Sequence, residues 1–366
     1  MFGSLPVTRA LRTSHPLAVL VAGLALALTV GCSLPPGSSD ARGPGPDESA
    51  DSPAPERHGG SAAVTPPAGS GLWVDPRSPA ARQVARWERE GRDEDARVLR
   101  RMAGQPIAEW PDGDGDPGPR IREVTAAAGA AGQTGVFVAY NIPHRDCGQY
   151  SQGGAADAAA YRQWIGTFAD SIGDAEAMVI LEPDAVPHLV DGCTAGMYHE
   201  ERTQLLAEAV DRLSELPRTR VYLDAGNPSW VTDPADLVGP LERSGIARAD
   251  GFALNVSNYR TTERVIAYGR ALSGLLDGDP PFVVDTSRNG NGPLEGEQEE
   301  SWCNPPGRAL GTPPTMETGE KLVDAFLWIK RPGESDGECR GGPRAGEWWP
   351  EYALGLAREA GPEHVP

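Results

Sequence analysis

The feature that most restricts how this chain can fold is a series of apolar runs that do not alternate. Residues 135–141 read GVFVAYN, 177–184 AMVILEPD, 220–226 RVYLDAG, 251–259 GFALNVSNY, 281–290 PFVVDTSRNG and 324–333 DAFLWIKRPG, with a shorter run, PIAEW, at 106–110. A strand with one wet face alternates apolar and polar residues. A strand buried on both faces has no such need, and that is the condition of parallel strands flanked by helices. Helical stretches separate the runs, at 161–172, 200–216, 262–276 and finally 352–359. Ahead of them, Val84, Trp87, Val98 and Leu99 recur at roughly helical spacing within 77–102, with a break near Gly91, which predicts two helical pieces. Repeated β–α units build a parallel barrel or a doubly wound sheet. No G-x-G-x-x-G follows the first run, so the doubly wound nucleotide-binding version loses its best signal and a (β/α) barrel is preferred.

The two ends of the chain differ in character. Arg9, Arg12 and His15 precede an apolar stretch at 17–30. This is the pattern of a secretion signal, too short for a membrane span of about 20 residues. It ends in LTVGC, where Gly31-Cys32 resembles a bacterial lipoprotein cleavage site with lipidation at Cys32; a secretion signal with an unmodified cysteine is the alternative. Residues 33–70 are rich in Pro, Gly, Ser, Asp and Ala and hold almost no large apolar side chain, so a disordered tether is expected there. Residues 71–366 suffice for one large domain with a full core. The formal net charge of −19 argues against a nucleic-acid partner.

Cys147, Cys193, Cys303 and Cys339 in an exported domain suggest two disulfides, with three pairings open and free buried thiols as the alternative. The CxxC-type spacing of a zinc site is absent. The expected location is extracytoplasmic, either secreted or held at the cell surface through Cys32.

Chemistry in a parallel barrel gathers at the C-terminal strand ends. There this chain places Tyr140 and Asp146, Asp184, Asp224, Ser257 with Asn258, Asp285, and finally Lys330, Glu334 and Asp336. Any single aspartate among them is explained as a helix cap or turn. Their recurrence at corresponding positions points instead to one cleft. Glycoside hydrolysis uses such carboxyls: one protonated as acid, another ionised as base or nucleophile, with neighbours raising the acid's pKa. Tryptophans give flat apolar faces for sugar C–H surfaces. Trp110, Trp230, Trp302, Trp348 and Trp349 are available, whereas Trp328, inside AFLWIK, reads as core. The segment DGDGDPGPRIRE, 112–123, has acidic residues at EF-hand positions, but Pro117 stands where the sharp turn needs glycine, so an acidic loop at the cleft edge is the better reading.

Taken in order, VAYNIPHRDCG, VILEPDAV, VYLDAGNPSW, NVSNYR, DTSRNGNGP, WCNPPGRALGTPPT and DAFLWIKRPGESDG resemble the motifs of glycoside hydrolase family 6, the inverting cellulases, across essentially residues 71–360. The resemblance implies a distorted, incomplete parallel (β/α) barrel (TIM-like), cleavage of β-1,4-glucan with inversion, and the disulfides Cys147–Cys193 and Cys303–Cys339. By the same resemblance Asp184 is the general acid. Asp146 raises the acid's pKa and helps position water, Asp336 is the proposed base, Asp224 supports the site, and Tyr140 lies beneath the sugar at the point of cleavage. Lys330, Glu334, Trp230 and Trp302 fall at sugar-binding positions, and Trp110, Asn227 and Asn258 are further substrate-binding candidates. Two positions depart from the pattern: Asn227 stands where the family often has histidine, and Gln152 replaces a serine, with Ser151 one residue earlier. The motifs lie close together in sequence, which favours internal cleavage over the tunnel of an exo-acting cellobiohydrolase. A glucan-binding surface lipoprotein without activity is the remaining alternative. No cofactor or metal is expected, and a monomer is.

Overall fold

The computed structural model describes residues 71–361, apart from 112, 114, 149, 295 and 297–300. The proposed signal, tether and Cys32 lie outside the described residues. The first turns are α1 (Pro79–Arg89), α2 (Asp93–Ala103) and α3 (Gly118–Ala131). Then β1 (Gly135–Ala139), α4 (Ala158–Ile172), β2 (Ala177–Leu181), the short α5 (Pro187–Val190), α6 (His199–Ser214), β3 (Thr219–Asp224) and α7 (Ala235–Arg243) follow. The chain closes with β4 (Gly251–Leu254), α8 (Thr262–Ser273), β5 (Phe282–Asp285), β6 (Val323–Leu327) and α9 (Pro350–Glu359). The six strands pair in parallel in the order β1-β2-β3-β4-β5-β6, with a register shift between β5 and β6.

The non-alternating runs are explained by two apolar cores that share the strands. Val136, Val138, Met178, Ile180, Tyr222, Ala253, Val283, Ala325 and Leu327 turn to one side and cluster with one another and with loop residues such as Leu72, Val256 and Ile329, forming the inside of the curled sheet. Phe137, Val179, Leu181, Val221, Leu223, Phe252, Leu254 and Val284 turn to the other, against Ile165, Phe168, Leu205, Leu206, Val265 and Leu272 of the helices. A third cluster joins α1, α2 and α9 around Trp87, Leu99, Met102 and Leu354, and Trp328 is buried in it, as expected for a core residue.

The PIAEW run does not become a strand. It supplies an isolated bridge at the seam between the first and last strands. Ala108 donates its N–H to the Trp328 carbonyl after β6, while Glu109 donates to Val136 of β1 and accepts from Val138. The barrel is thus incomplete, stitched over two residues instead of closed by a ladder. The acidic 112–123 segment also differs from expectation, since α3 begins inside it at Gly118, whose N–H donates to Asp116 Oδ1 at 2.8 Å. Glu123 therefore sits on a helix, paired with Arg120 at 2.9 Å.

Candidate active site

A cleft of about 370 Å³ opens beyond the C-terminal ends of the strands. Each β→α loop delivers part of its wall. After β1 come Tyr140, Asp146 and Ser151; after β2, Asp184, His188 and Asp191; after β3, Asn227 and Trp230; after β4, Ser257, Asn258 and Arg260; and after β6, Lys330 and Asp336. Trp110 and Trp302 complete it. Several of these loops hold non-glycine residues in the left-handed region: Asp146 (φ 55°), Glu182 (φ 48°), Asp184 (φ 71°) and Ser257 (φ 57°). Such backbone costs of order 1–3 kcal/mol per residue and persists where the surroundings over-determine it. Here it brings Asp146, Asp184 and Ser257 to one cleft, while Glu182 turns instead onto the backbone N–H groups of Asn141 and Ile142. Gly226 serves the same end at φ 69°, where a Cβ would stand 2.8 Å from Pro187 Cγ.

An oxygen of Asp146, an oxygen of Asp184 and a ring nitrogen of His188 lie within 4.8 Å of one another. Burial raises the pKa of Asp184, and the neighbouring Asp224 carboxylate raises it further. Asp224 is itself 1% exposed and raised by burial, but its charge is held by backbone N–H groups of Asp184 (2.8 Å) and Gly226 (3.3 Å). Of the two, Asp184 is therefore the better seat for a proton, and Asp224 works from beneath the cleft without lining it. Asp146 is raised by burial as well, although it accepts the N–H of Ser151 at 2.5 Å. Ser151, one position before the serine expected from the resemblance, is thus the residue that meets the cleft, and Gln152 is exposed.

Asp336 is the opposite case. Burial alone would raise it, but Arg288 and Lys330 outweigh burial and hold it at about 2. Its Oδ2 accepts from Arg288 (2.8 Å), Asn304 N (3.0 Å) and Tyr259 (3.1 Å), and Lys330 Nζ stands 3.2 Å from Oδ1. The site thus joins a carboxyl disposed to carry a proton with one fixed as an anion.

Aromatic side chains flank them. Tyr140 packs edge-on against Trp110 with ring centroids 5.6 Å apart, and Trp302 lies near Tyr150 at 6.1 Å. Trp230 donates Nε1–H to Asp191 Oδ2 at 2.8 Å. Asn227 and Asn258 use their side-chain oxygens on the backbone N–H groups of Ser229 (3.0 Å) and Tyr259 (3.2 Å), leaving their amide nitrogens for other partners. Both cysteine pairs form as the resemblance implied, Cys147–Cys193 beside Asp146 and Cys303–Cys339 beside Asp336.

Two strand-end acids stand elsewhere than expected. Glu334 is buried with Arg331 at 3.1 Å, its backbone pairs with Trp348, and it is not among the residues lining the cleft. Asp285 is fully buried, and its carboxylate accepts N–H from Ser257, Ser287, Ile329 and Lys330, so it ties β4, β5 and β6 loops together. Sequence reasoning in turn passed over Glu182, Arg288 and His188. Glu182 accepts N–H from Asn141 and Ile142 at 2.9–3.0 Å and is pushed up to about 7 by burial. A charge placed directly at the end of a buried run, in LEPD and again in DTSR, was the available signal for the first two.

Unlike-protonated carboxyls between aromatic walls, at the open end of a parallel barrel, are the equipment of a glycoside hydrolase. Residues 67–360 match the family described as Glycosyl hydrolases family 6, and the chain belongs to that family. It is 46% identical over 265 residues to Endoglucanase 1 of Streptomyces sp. (strain KSM-9), covering 71% of each chain. It is 43% identical over 294 residues to Endoglucanase A of Cellulomonas fimi, covering 80% of this chain and 62% of that one. Among solved structures, the endoglucanase Cel6 from Mycobacterium tuberculosis, in complex with methyl-cellobiosyl-4-deoxy-4-thio-β-D-cellobioside, superposes with a TM-score of 0.73 at 43% identity, covering 80% of this chain and 98% of that one.

Proposed function

We propose that this family member cleaves β-1,4-glucosidic bonds within cellulose or soluble β-glucans, with inversion, and that Asp184 is its general acid. The contrast between Asp184, disposed to hold a proton, and Asp336, fixed as an anion, carries the reading. Asp184 protonates the departing glycosidic oxygen, with Asp224 holding the acid's backbone from below. Asp146 and Ser151 border the space where water would attack. Asp336 faces the cleft as a permanent charge that favours the cationic character developing at the anomeric carbon. With a pKa near 2 it is a poor proton acceptor, so its contribution to water activation is electrostatic and indirect. Tyr140, Trp110, Trp230 and Trp302 supply sugar-stacking surfaces, and Lys330, Asn227 and Asn258 supply hydrogen bonds.

Identity to endoglucanases of 42–46%, against 30–31% to curated cellobiohydrolases, supports internal cleavage. The M. tuberculosis complex supports cello-oligosaccharides as ligands. The disulfides fit an exported enzyme. Lipid attachment at Cys32 would hold it at the membrane, acting on soluble oligomers as a monomer. The deciding experiment is a product profile on carboxymethylcellulose and cello-oligosaccharides with anomers followed by NMR. Initial α-anomer and a rapid fall in viscosity are expected; initial β-anomer would overturn inversion, and cellobiose release without viscosity loss would overturn internal cleavage.

A further inference from the structure

His188 is buried on the cleft wall and has no part in the mechanism above. It follows Asp184 by one helical turn, and its backbone N–H donates to the Asp184 carbonyl at 3.0 Å. Its ring is fixed on two further sides. Nδ1 lies 3.1 Å from Asp191 Oδ2, and the Trp230 indole meets the imidazole edge-on at 4.8 Å. Asp191 is fixed in turn: Oδ2 accepts Trp230 Nε1–H and Oδ1 accepts the Cys193 N–H at 2.8 Å. A carboxylate bound to one ring nitrogen fixes the tautomer and the orientation of the ring. Here the oriented ring stands within 4.8 Å of both Asp146 and Asp184.

The charged groups around it can be named element by element. Asp184 and Asp191 flank α5, Asp146 and the Cys147–Cys193 bridge face it from the β1 side, Trp230 from the β3 side, and Asp224 lies beneath Asp184. Arg145 and Arg202 are the nearby guanidinium groups. Arg145 is engaged on the carbonyls of Tyr140 and Ser151. Arg202 is buried and spends its guanidinium on the carbonyls of Pro143, His144 and Ala185, although its charge also reaches Asp184 and Asp191. Three carboxyls crowd one imidazole.

We propose that His188, held by Asp191 and standing within 4.8 Å of both Asp146 and Asp184, is a positioning residue that supplies the cation beside that pair and so sets the basic limb of the pH–activity profile. The proposal rests on Asp184 being the acid. In its protonated form His188 favours the ionised state of both aspartates and opposes the burial that keeps Asp184 protonated. Cleavage then runs at the pH where the acid gives up its proton readily, not where it merely holds it.

The test is the pH dependence of kcat/KM for a cello-oligosaccharide in wild type, His188→Asn and His188→Gln. Asparagine preserves a donor near the Nδ1 position and glutamine one near the other nitrogen; neither carries charge. Both should move the basic limb upward by about 1 pH unit. A limb that stays in place while KM rises or thermal stability falls would reduce His188 to a packing partner of Trp230 and overturn the proposal. A second measurement holds even if those variants do not fold. Coupling is reciprocal, so Asp184→Asn should lower the midpoint of the His188 ring titration followed by NMR; an unchanged midpoint also overturns it. Failure of the acid assignment looks different: Asp184→Asn would then lose equal activity on good and poor leaving groups, whatever the His188 variants do.

Discussion

The backbone N–H of Asp184 donates to Asp224 Oδ2 at 2.8 Å, fastening the loop after β2 to the end of the next strand. One carboxylate thereby does two things. It fixes the left-handed backbone that turns Asp184 into the cleft, and it sets a negative charge beneath that residue's carboxyl.

Replacing Asp184 by Asn keeps the shape and removes the transferable proton. Activity on cello-oligosaccharides should fall by about 10²–10⁴. On a dinitrophenyl cellobioside, whose leaving group departs without protonation, the loss should be much smaller. The ratio of kcat/KM values on the two substrates is the measurement, and an equal loss on both transfers the role to Asp146.

Arg288 is wholly buried, and its partner Asp336 is 8% exposed. Removing one member of such a pair strands the other charge, so Arg288→Met should cost roughly 3–5 kcal/mol in denaturant unfolding. Asp336→Asn should reduce turnover on activated and natural substrates alike, because charge at the anomeric centre develops with either leaving group. Asp336 also sets an acid limit: its folded pKa is depressed, so its contribution to stability is present above the ordinary value of 3.8 and is lost as pH falls through about 2.

Glu182 acts in the opposite sense. Its folded pKa of about 7 exceeds the ordinary 4.5, so its contribution is full below 4.5 and is lost as pH rises through about 7. The shift corresponds to roughly 3 kcal/mol. Thermal unfolding scans should show a midpoint that declines between pH 5 and 7.5, and Glu182→Gln should flatten that decline. An unchanged slope would remove Glu182 as the cause.

Cys147 follows Asp146 directly, and Cys193 donates its N–H to Asp191. Cys147→Ser with Cys193→Ser should therefore cost about 4 kcal/mol on the chain-entropy account and also loosen both acid loops, lowering kcat. A peptide map linking Cys147 to Cys303 would contradict the pairing.

If Cys32 carries a diacyl anchor, two chains suffice for stable membrane association. Cys32→Ala should then shift the enzyme from the membrane fraction to the medium. Continued membrane retention with unchanged processing would discard the anchor.

What the sequence determined by itself was the parallel barrel and the address of its chemistry. Runs such as AMVIL and FVVD lack alternation because both faces are buried, and that is a local property of the residues. The polar residues that end those runs, with the spacing of the motifs, marked Asp146, Asp184, Asp224 and Asp336 and the family resemblance. Tertiary structure decided what each strand-end charge does. Asp184 and Asp285 look alike in sequence, yet one meets the cleft and the other accepts four backbone N–H groups. Glu334 was drawn off by Arg331, and Arg288 was driven into the core beside Asp336. Residues 108–109 became a seam because their backbone groups bond to Trp328 on one side and to Val136 and Val138 on the other, partners far away in sequence. A carboxylate's proton affinity depends on the few ångströms of charge and amide around it, and residues distant in sequence supply most of that surrounding.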